Sequence, residues 1–224
     1  MSLLRKGAIN PVRAALKDPL VSTGFEDQDL TFFDLNFHPA FWTINTSPYS
    51  GKYALQGSGN ETTYVTLLAK SLKAPYPQTL FTRFYINFQS LGGGSALYLF
   101  NIGKYTAYPY YTIIPQSFIL GARNVSGTLY WITQSSLTPL APFSLNQWYR
   151  VEVMASDFSL TCQLKINGTT IWAGPYFQAY KGYLGTVGFR LYPTSGGSIT
   201  ELIDSFAVGQ RSWLDDRYLD LRVG

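Results

Sequence analysis

The sequence predicts an all-β fold, an antiparallel sandwich or barrel, and residues 148–209 carry most of the signal. Residues 148–154 alternate large apolar with polar side chains, the period-two pattern of a strand with one buried face. Residues 160–166 repeat this pattern, and Asn167-Gly168 then supplies a hairpin turn that needs positive φ at two successive residues. Two further strands are predicted at 187–192 and 202–208. Strands and turns leave no room here for a long helix.

The chain between residue 24 and this stretch continues in the same style. Residues 80–88 alternate strongly, and the nearly continuous apolar run at 96–102 predicts a strand that is buried on both faces. Further strands or strand fragments are predicted at 30–37, 41–45, 53–57, 62–68, 118–123 and 128–133. A length of 224 residues suits one large β domain.

Both ends of the chain depart from the strand pattern, so we predict an arm at 1–22, a β domain at 23–210 and a second arm at 211–224. Asn10-Pro11 is typical of a short helix start, and Ser212 with Asp215 is a capping pair for another. One or two helical turns are not stable alone, so the first arm must lie against its own β domain or a neighbouring subunit. The side chains predicted to contact neighbouring subunits are Leu4, Arg5, Val12, Leu16, Trp213, Leu214, Tyr218 and Leu221.

Composition favours contact with sugars or with other proteins. Aromatic residues make up 17% of the chain and charged residues 13%, which is about half of ordinary charged usage. Aromatic rings stack on sugar faces, but Tyr, Trp and Phe are equally enriched in protein interfaces and in β-sandwich cores. The net charge of +4 comes from scattered basic residues with no stripe along a strand, so we expect no nucleic-acid partner.

Several classes of protein are excluded by what the sequence lacks. Cys162 is the single cysteine, so a disulfide within the chain is excluded and the thiol is expected to be a small buried hydrophobe. No segment approaches the roughly 18 apolar residues of a membrane span. The N-terminus has no apolar stretch of the secretory-signal type, so we expect synthesis in a cytoplasm and no membrane partner.

Five short motifs follow one another in the β domain. They are GFEDQDL at 24–30, SGKYAL at 50–55, WYRVEV at 148–153, LKING at 164–168 and IDSFAVG at 203–209. In this order they resemble the concanavalin A-like lectin/glucanase superfamily, the laminin-G-like jelly rolls. The resemblance implies a sandwich of two antiparallel sheets, one convex and one concave, with glycans held on the concave face.

The same resemblance implies a structural calcium ion that ties the first strand to the last on the convex side. The ligands carried over to this sequence are Glu26, the backbone of Gly51 and Lys52, and Asp204. Carboxylate and carbonyl oxygens suit calcium, which prefers hard ligands. The alternative is that Glu26 and Asp204 cap turns or face solvent.

Catalytic groups are hard to find in this sequence. Glycosidases need two carboxylates about 5 to 9 Å apart, but the Glu-x-Asp-x-Glu arrangement of the superfamily's glucanases is missing and Glu152 stands alone on its strand. Residues 180–183 are similar to a closing segment of polysaccharide lyases, yet the single histidine, His38, lies before a proline in an early loop. We therefore predict a protein that is not an enzyme, with a lyase or glucanase as the weaker alternative.

Two classes of function remain. The first is a non-catalytic structural protein of a virus particle, a tailed-phage subunit that decorates the capsid or forms part of the tail. Such a subunit would be made in the host cytoplasm, form a homo-oligomer, contact other virion subunits and reside in the virion. The second is a carbohydrate-binding module or lectin, and the two combine if a virion jelly roll binds host glycans. The rings predicted to stack on sugars are Tyr105, Tyr108, Tyr110, Tyr111 and Trp131, with Trp172 and Tyr176 less favoured; core packing is the alternative for each.

Overall fold

The protein is an antiparallel β-sandwich, which confirms the predicted fold class. The computed structural model describes residues 20–37, 39–60, 66–72, 77–92, 96–106, 112–133, 138–176, 184–193, 197–210 and 212–214. These residues form two stacked antiparallel sheets, of eight and seven strands. Within the described residues, no helix is long and apolar enough to cross a membrane.

We call the eight-stranded sheet sheet A and the seven-stranded sheet sheet B. Sheet A contains β1 (Val21–Thr23), β3 (Trp42–Asn45), β4 (Ala54–Gly59), β6 (Thr79–Leu91), β11 (Trp148–Ser156), β12 (Thr161–Ile166), β13 (Thr169–Pro175) and β15 (Ile199–Gly209). Its order is β13-β12-β11-β6-β15-β4-β3, with β1 also paired to β15. Sheet B contains β2 (Leu35–Phe37), β5 (Thr66–Ser71), β7 (Ala96–Thr106), β8 (Thr112–Val125), β9 (Thr128–Thr133), β10 (Pro142–Phe143) and β14 (Thr186–Pro193), in the order β10-β9-β8-β7-β14-β5-β2.

The hairpin of β12 and β13 forms where the sequence predicts it. Asn167 and Gly168 adopt φ values of 51° and 82°, the two positive values that the turn requires. On the other side, β12 pairs with β11 in a register that places Val151 opposite Ile166. Local alternation and one turn dipeptide are therefore sufficient to define this corner of sheet A.

The segment predicted as a strand at 30–37 is mostly a turn. The Asp29 carboxylate accepts the N–H of Thr31, and the N–H of Phe33 donates to the Leu30 carbonyl at 3.0 Å. An Asp side chain that bonds the backbone two residues on competes with strand pairing. Consequently only β2 remains extended.

Strand β15 is the central element of sheet A. It pairs with β6 along most of its length, and its other edge pairs with β4 at residues 199–203 and with β1 at residues 206–208. Between these two partners lies a bulge at Asp204 and Ser205, where Ser205 has a φ of 51°. A bulge re-aims side chains locally, and this one lies beside the loop that precedes β4.

The core lies between the two sheets and is strongly aromatic. Phe84 of sheet A contacts Phe100 and Phe189 of sheet B, with ring centroids 4.9 and 5.1 Å apart. Phe206 from β15 joins them 5.1 Å from Phe189. Cys162 is also buried, as predicted. Many of the aromatic side chains therefore pack in the core between the two sheets, where they cannot contact a partner.

Trp131 belongs to this core, so its prediction as a sugar-stacking ring is wrong. Its side chain is 0% exposed, and its ring lies 4.9 Å from that of Phe143 and 5.6 Å from that of Phe88. Its neighbours Tyr130 and Ile132 are apolar or aromatic as well, so alternation alone does not tell which side of β9 faces inward. A ring without accessible surface cannot stack on a ligand.

Described residues at both ends of the chain contact sheet A. Residues 21–23 form β1, and the N–H of Leu20 donates to the Val208 carbonyl at 2.7 Å. Trp213 and Leu214, two of the residues predicted to contact neighbouring subunits, lie against their own sheet A: Leu214 is buried, and the ring of the partly exposed Trp213 lies 5.3 Å from that of Phe81. The other predicted assembly residues, Leu4, Arg5, Val12, Leu16, Tyr218 and Leu221, lie outside the described residues.

Candidate functional site

The loop at residues 49–53, which we call the clamped turn, is held from two sides by carboxylates. On one side, the Glu26 carboxylate accepts the N–H of Lys52 at 3.0 and 3.2 Å and that of Tyr53 at 3.3 Å. On the other side, the Asp204 carboxylate accepts the N–H of Ser50 at 2.9 Å. The opening motif, the Ser-Gly turn and the closing strand thus meet in space.

Gly51 is required at the centre of the clamped turn. Its φ of 72° lies in the left-handed region that side chains disfavour. A Cβ atom at this position would also overlap the Glu26 carboxylate. The glycine therefore allows the backbone to approach Glu26 closely enough for the two amides that follow to donate to it.

Asp204 is a buried carboxylate whose partners among the described residues are amides and a hydroxyl. The N–H groups of Tyr49, Ser50 and Ser205 and the Ser205 hydroxyl all bond to it. Burial raises the pKa of Asp204 to about 6, and these hydrogen bonds act against the rise. Burial thus disfavours the negative charge of this carboxylate, and its hydrogen bonds offset part of that cost.

The calcium ligands implied by the resemblance, Glu26 and Asp204, both accept backbone N–H groups of the clamped turn. Within the parts that the structure describes, no group of three or more His, Cys, Asp or Glu side chains comes together. A cation here would instead be held by Glu26, Asp204 and backbone carbonyls of the turn. A carboxylate can accept about four hydrogen bonds or metal contacts, so both retain capacity beyond the amides. The resemblance implies a metal ligand from the Lys52 backbone, but the backbone group of Lys52 that contacts Glu26 is its N–H.

An aromatic cluster, which we call the aromatic patch, lies beside the clamped turn and consists of Tyr49, Tyr85 and Trp148. The ring of Tyr49 stacks on that of Tyr85, with centroids 3.7 Å apart and planes at 12°, and lies edge-on to Trp148 at 5.9 Å. Tyr85 is buried, whereas Tyr49 is 48% exposed. One face of Tyr49 is thus covered by Tyr85, and the residue keeps a large accessible surface.

Polar groups surround the aromatic patch on the outer face of sheet A. In the strand register, Asn87 lies opposite Trp148, and Tyr85 lies between Arg150 and Asp204. The Arg150 Nε lies 3.3 Å from a carboxylate oxygen of Glu152. Asn87 is buried and accepts a hydrogen bond from Gln89, so the partly exposed Arg150 is the group beside the Tyr49 ring that can donate to a ligand.

Of the other rings predicted to bind sugars, the structure describes the side chains of Trp131, Trp172 and Tyr176, and these lie in or against the core. Tyr108, Tyr110 and Tyr111 lie outside the described residues, and Tyr105 is placed in β7 through its backbone pairing with Ile113. Trp172 is partly buried, 5.9 Å from the ring of Phe118. Tyr176 is buried, and its hydroxyl donates to Asp157 at 2.9 Å.

Sequence reasoning did not find Tyr49 as a functional residue. It stands immediately before the SGKYAL motif, where an isolated tyrosine has no periodic pattern to interpret. The usable signal lies in the strand at 80–88, where Arg83, Tyr85 and Asn87 alternate with the apolar core positions. This indicates an outer face rich in polar and aromatic groups, but it does not indicate what lies over it.

No protein-family model and no curated protein matches the sequence. Among solved structures, the chain is similar to the cellulose induced protein Cip1, with a TM-score of 0.63 and 15% identity over 87% of this chain and 100% of that chain. It is also similar to a carbohydrate esterase from the Shiga toxin-encoding bacteriophage phi24B, with a TM-score of 0.60 and 14% identity over 87% and 99% of the two chains. A sialidase matches with a TM-score of 0.61 and 12% identity over 87% of this chain, which spans only 18% of the sialidase. These likenesses show that the β-sandwich fold is shared with carbohydrate-active proteins.

Proposed function

We propose that the protein is a non-catalytic carbohydrate-binding module that binds sugar rings at the aromatic patch. The observation that carries this proposal is the Tyr49 ring, which is 48% exposed and rests flat on Tyr85. A ring that is already fixed by a second ring loses little conformational freedom when a sugar stacks on it. The neighbouring Arg150, whose side chain is 31% exposed, supplies a guanidinium group that donates to sugar hydroxyls.

The positions of the carboxylates support binding without catalysis. Glu152 lies beside Arg150, Asp204 holds the clamped turn, and Glu201 points from β15 into the core. Glycoside hydrolysis needs two carboxyl groups that flank a bound sugar. In the strand register, Glu152 and Asp204 lie on the two strands that flank β6, opposite Arg83 and Tyr85 respectively, and Glu201 is buried. His38 and residues 180–183 lie outside the described residues.

The binding experiment is an array of oligosaccharides, including cellohexaose and sialyllactose, probed with the full chain. Tyr49→Ala should lower affinity for a bound sugar by about tenfold or more. The loss of a flat ligand stacked on an aromatic side chain costs roughly 1–3 kcal/mol, the value for nucleobases. Tyr49→Phe keeps the ring and should retain most of the affinity. Phe158→Ala is the matched control, because Phe158 is 85% exposed and lies away from the patch. Trp148 begins β11, whereas Phe158 follows the last residue of that strand, Ser156. Equal affinity of wild type and Tyr49→Ala would contradict the proposal.

We further propose that the clamped turn binds a structural calcium ion through Glu26 and Asp204. The buried position of Asp204 and its raised pKa support this, because a cation would offset the cost of the buried charge. At a calcium concentration of 100 times Kd, binding should stabilise the folded wild type by about 2.7 kcal/mol. The thermal unfolding midpoint should therefore be higher in calcium than in EDTA. Glu26→Gln and Asp204→Asn should remove this response. An identical midpoint in calcium and EDTA would contradict the site.

A second candidate is a subunit of a tailed-phage particle that binds host glycans and contacts other virion subunits as a homo-oligomer. It is favoured by the phage origin of one similar structure and by the low charged content of 13%. Nucleic acid and membrane are not partners in this proposal. Sedimentation of the full chain tests it: a defined oligomer supports the subunit, and a monomer at high concentration contradicts it.

A further inference from the structure

We infer that Arg83 is the positioning residue of the aromatic patch and that residues 212–214, which we call the strap, hold Arg83 in place. This inference rests on the proposed function of the patch. It assigns a role in ligand binding to a side chain and a segment that lie outside the exposed sugar-binding surface.

Arg83 is unusual because it is a charged residue on the outer face of sheet A and yet is only 1% exposed. Its register places it between Glu152 and Ala207, on the same face as Tyr85. A buried guanidinium group is costly unless its N–H groups find partners. The position of its partners therefore determines where Arg83 points.

Two hydrogen bonds of Arg83 connect the strap to the patch. Nη1 donates to the carbonyl of Leu214 at 2.8 Å, and Nη2 donates to the Tyr85 hydroxyl at 2.9 Å. The guanidinium group is planar and rigid, so these two donors cannot move independently. Tyr85 in turn supports the Tyr49 ring from below. A shift of Leu214 is thereby transmitted to the surface on which the sugar is proposed to stack.

The strap is fixed by contacts of its own that do not involve the patch. The Trp213 ring lies 5.3 Å from that of Phe81 at 71°, and the ammonium group of Lys165 lies 3.8 Å from the centre of the Trp213 ring. Leu214 is buried. Cation–ring contacts and ring pairs of this kind stabilise local structure. Trp213 is therefore the anchor that keeps the Leu214 carbonyl within hydrogen-bond distance of Arg83.

The test uses full-length variants and the better bound of cellohexaose and sialyllactose. Trp213→Ala should lower affinity by roughly three- to tenfold, a size typical of substitutions that act through packed intermediates. Arg83→Lys should cause a similar loss with the strap anchor intact, because one ammonium group cannot reproduce the fixed fork. Phe158→Ala is the control for substitution of an aromatic residue remote from the patch.

A spectroscopic measurement separates positioning from general stability. Tyr49→Ala changes the near-ultraviolet circular dichroism of the Tyr49–Tyr85 stack, and this change should be smaller in a Trp213→Ala background than in wild type. If Trp213→Ala does not fold, Lys165→Met replaces it, because this variant removes only the cation over the Trp213 ring. Unchanged affinity in Arg83→Lys and the strap variant, with a Tyr49-dependent spectral change of full size, would overturn the inference.

The failure of the proposed function is distinguishable from the failure of this inference. If wild type binds neither oligosaccharide and no other sugar on the array, the carbohydrate function fails. The spectral comparison then still decides on Arg83: a reduced Tyr49-dependent change in the strap variant supports its positioning role, and a full change refutes it.

Discussion

Glu201 offers the sharpest test of the energetics of this fold. It lies on β15 opposite Phe88, on the side of sheet A that faces the core, and it is 0% exposed. Within the described part of the chain, neither carboxyl oxygen has a hydrogen-bond partner. Burial raises the pKa of Glu201 well above its usual value. The folded protein therefore keeps this side chain protonated at pH values where the unfolded chain has lost the proton.

The perturbation is Glu201→Leu, and two effects set its magnitude. A buried polar group without a partner costs about 1–3 kcal/mol, so an apolar side chain of similar size should stabilise the fold by roughly that amount. In addition, wild type loses stability as pH rises, because its folded state binds one more proton than its unfolded state. The loss is about 1.4 kcal/mol per pH unit, starting at the unfolded glutamate pKa of about 4.3 and ending at the raised folded pKa.

The assay is urea unfolding of wild type, Glu201→Leu and Glu201→Gln between about pH 4 and pH 7. The Leu variant should be more stable at neutral pH, and its advantage should grow as pH rises. The Gln variant is the matched control, because it removes the pH-dependent part but keeps an unpaired polar group in the core. Parallel pH profiles for wild type and Glu201→Leu, or a less stable Leu variant, would refute the reasoning.

Three further predictions test the packing and the clamped turn. Gly57→Ala should destabilise the protein by roughly 1–3 kcal/mol in urea unfolding, because the new Cβ would lie 2.7 Å from Cζ3 of Trp42. Trp131→Ala should cost about 3–5 kcal/mol of unfolding free energy yet leave the sugar affinity of the folded protein unchanged, as measured by calorimetry below the unfolding transition. In EDTA, ionisation of Asp204 should cost wild type about 3 kcal/mol as pH rises from its unfolded pKa of 3.8 to about 6. Asp204→Asn should remove that dependence of stability on pH. If the variant and wild type show the same pH dependence, ionisation of Asp204 does not destabilise the folded protein.

The fold was accessible from sequence where its signals are local. Alternation over 148–154 and the Asn167-Gly168 dipeptide predicted three consecutive strands and the turn between two of them, because the side-chain period and the positive φ values are properties of neighbouring residues. The same reasoning failed at 30–37, where the Asp29 side chain competes for the backbone. It also failed for Trp131, since apolar residues on both faces of a strand hide which face is inside.

The candidate site depended on distant parts of the chain. The resemblance brought Glu26, the Ser-Gly turn and Asp204 together, and the structure places these residues in contact through backbone amides. The aromatic patch had no counterpart in the sequence reasoning. Tyr49, Tyr85 and Trp148 are separated by tens of residues, and no short-range pattern links them.

The sequence by itself determined the class of fold, most strand positions and the tight turns, because these follow from the preferences of adjacent residues. Only the tertiary structure decided which faces became core, that the segment around Trp213 covers its own sheet, and that Tyr49 rests on Tyr85. These features depend on strand order and register, and pairing of strands far apart in sequence is set by the total burial that the whole sandwich achieves. A bulge at Asp204 and Ser205 then brings the clamped turn to the edge of β15, a placement that exists only after β15 has paired with β4, β6 and β1.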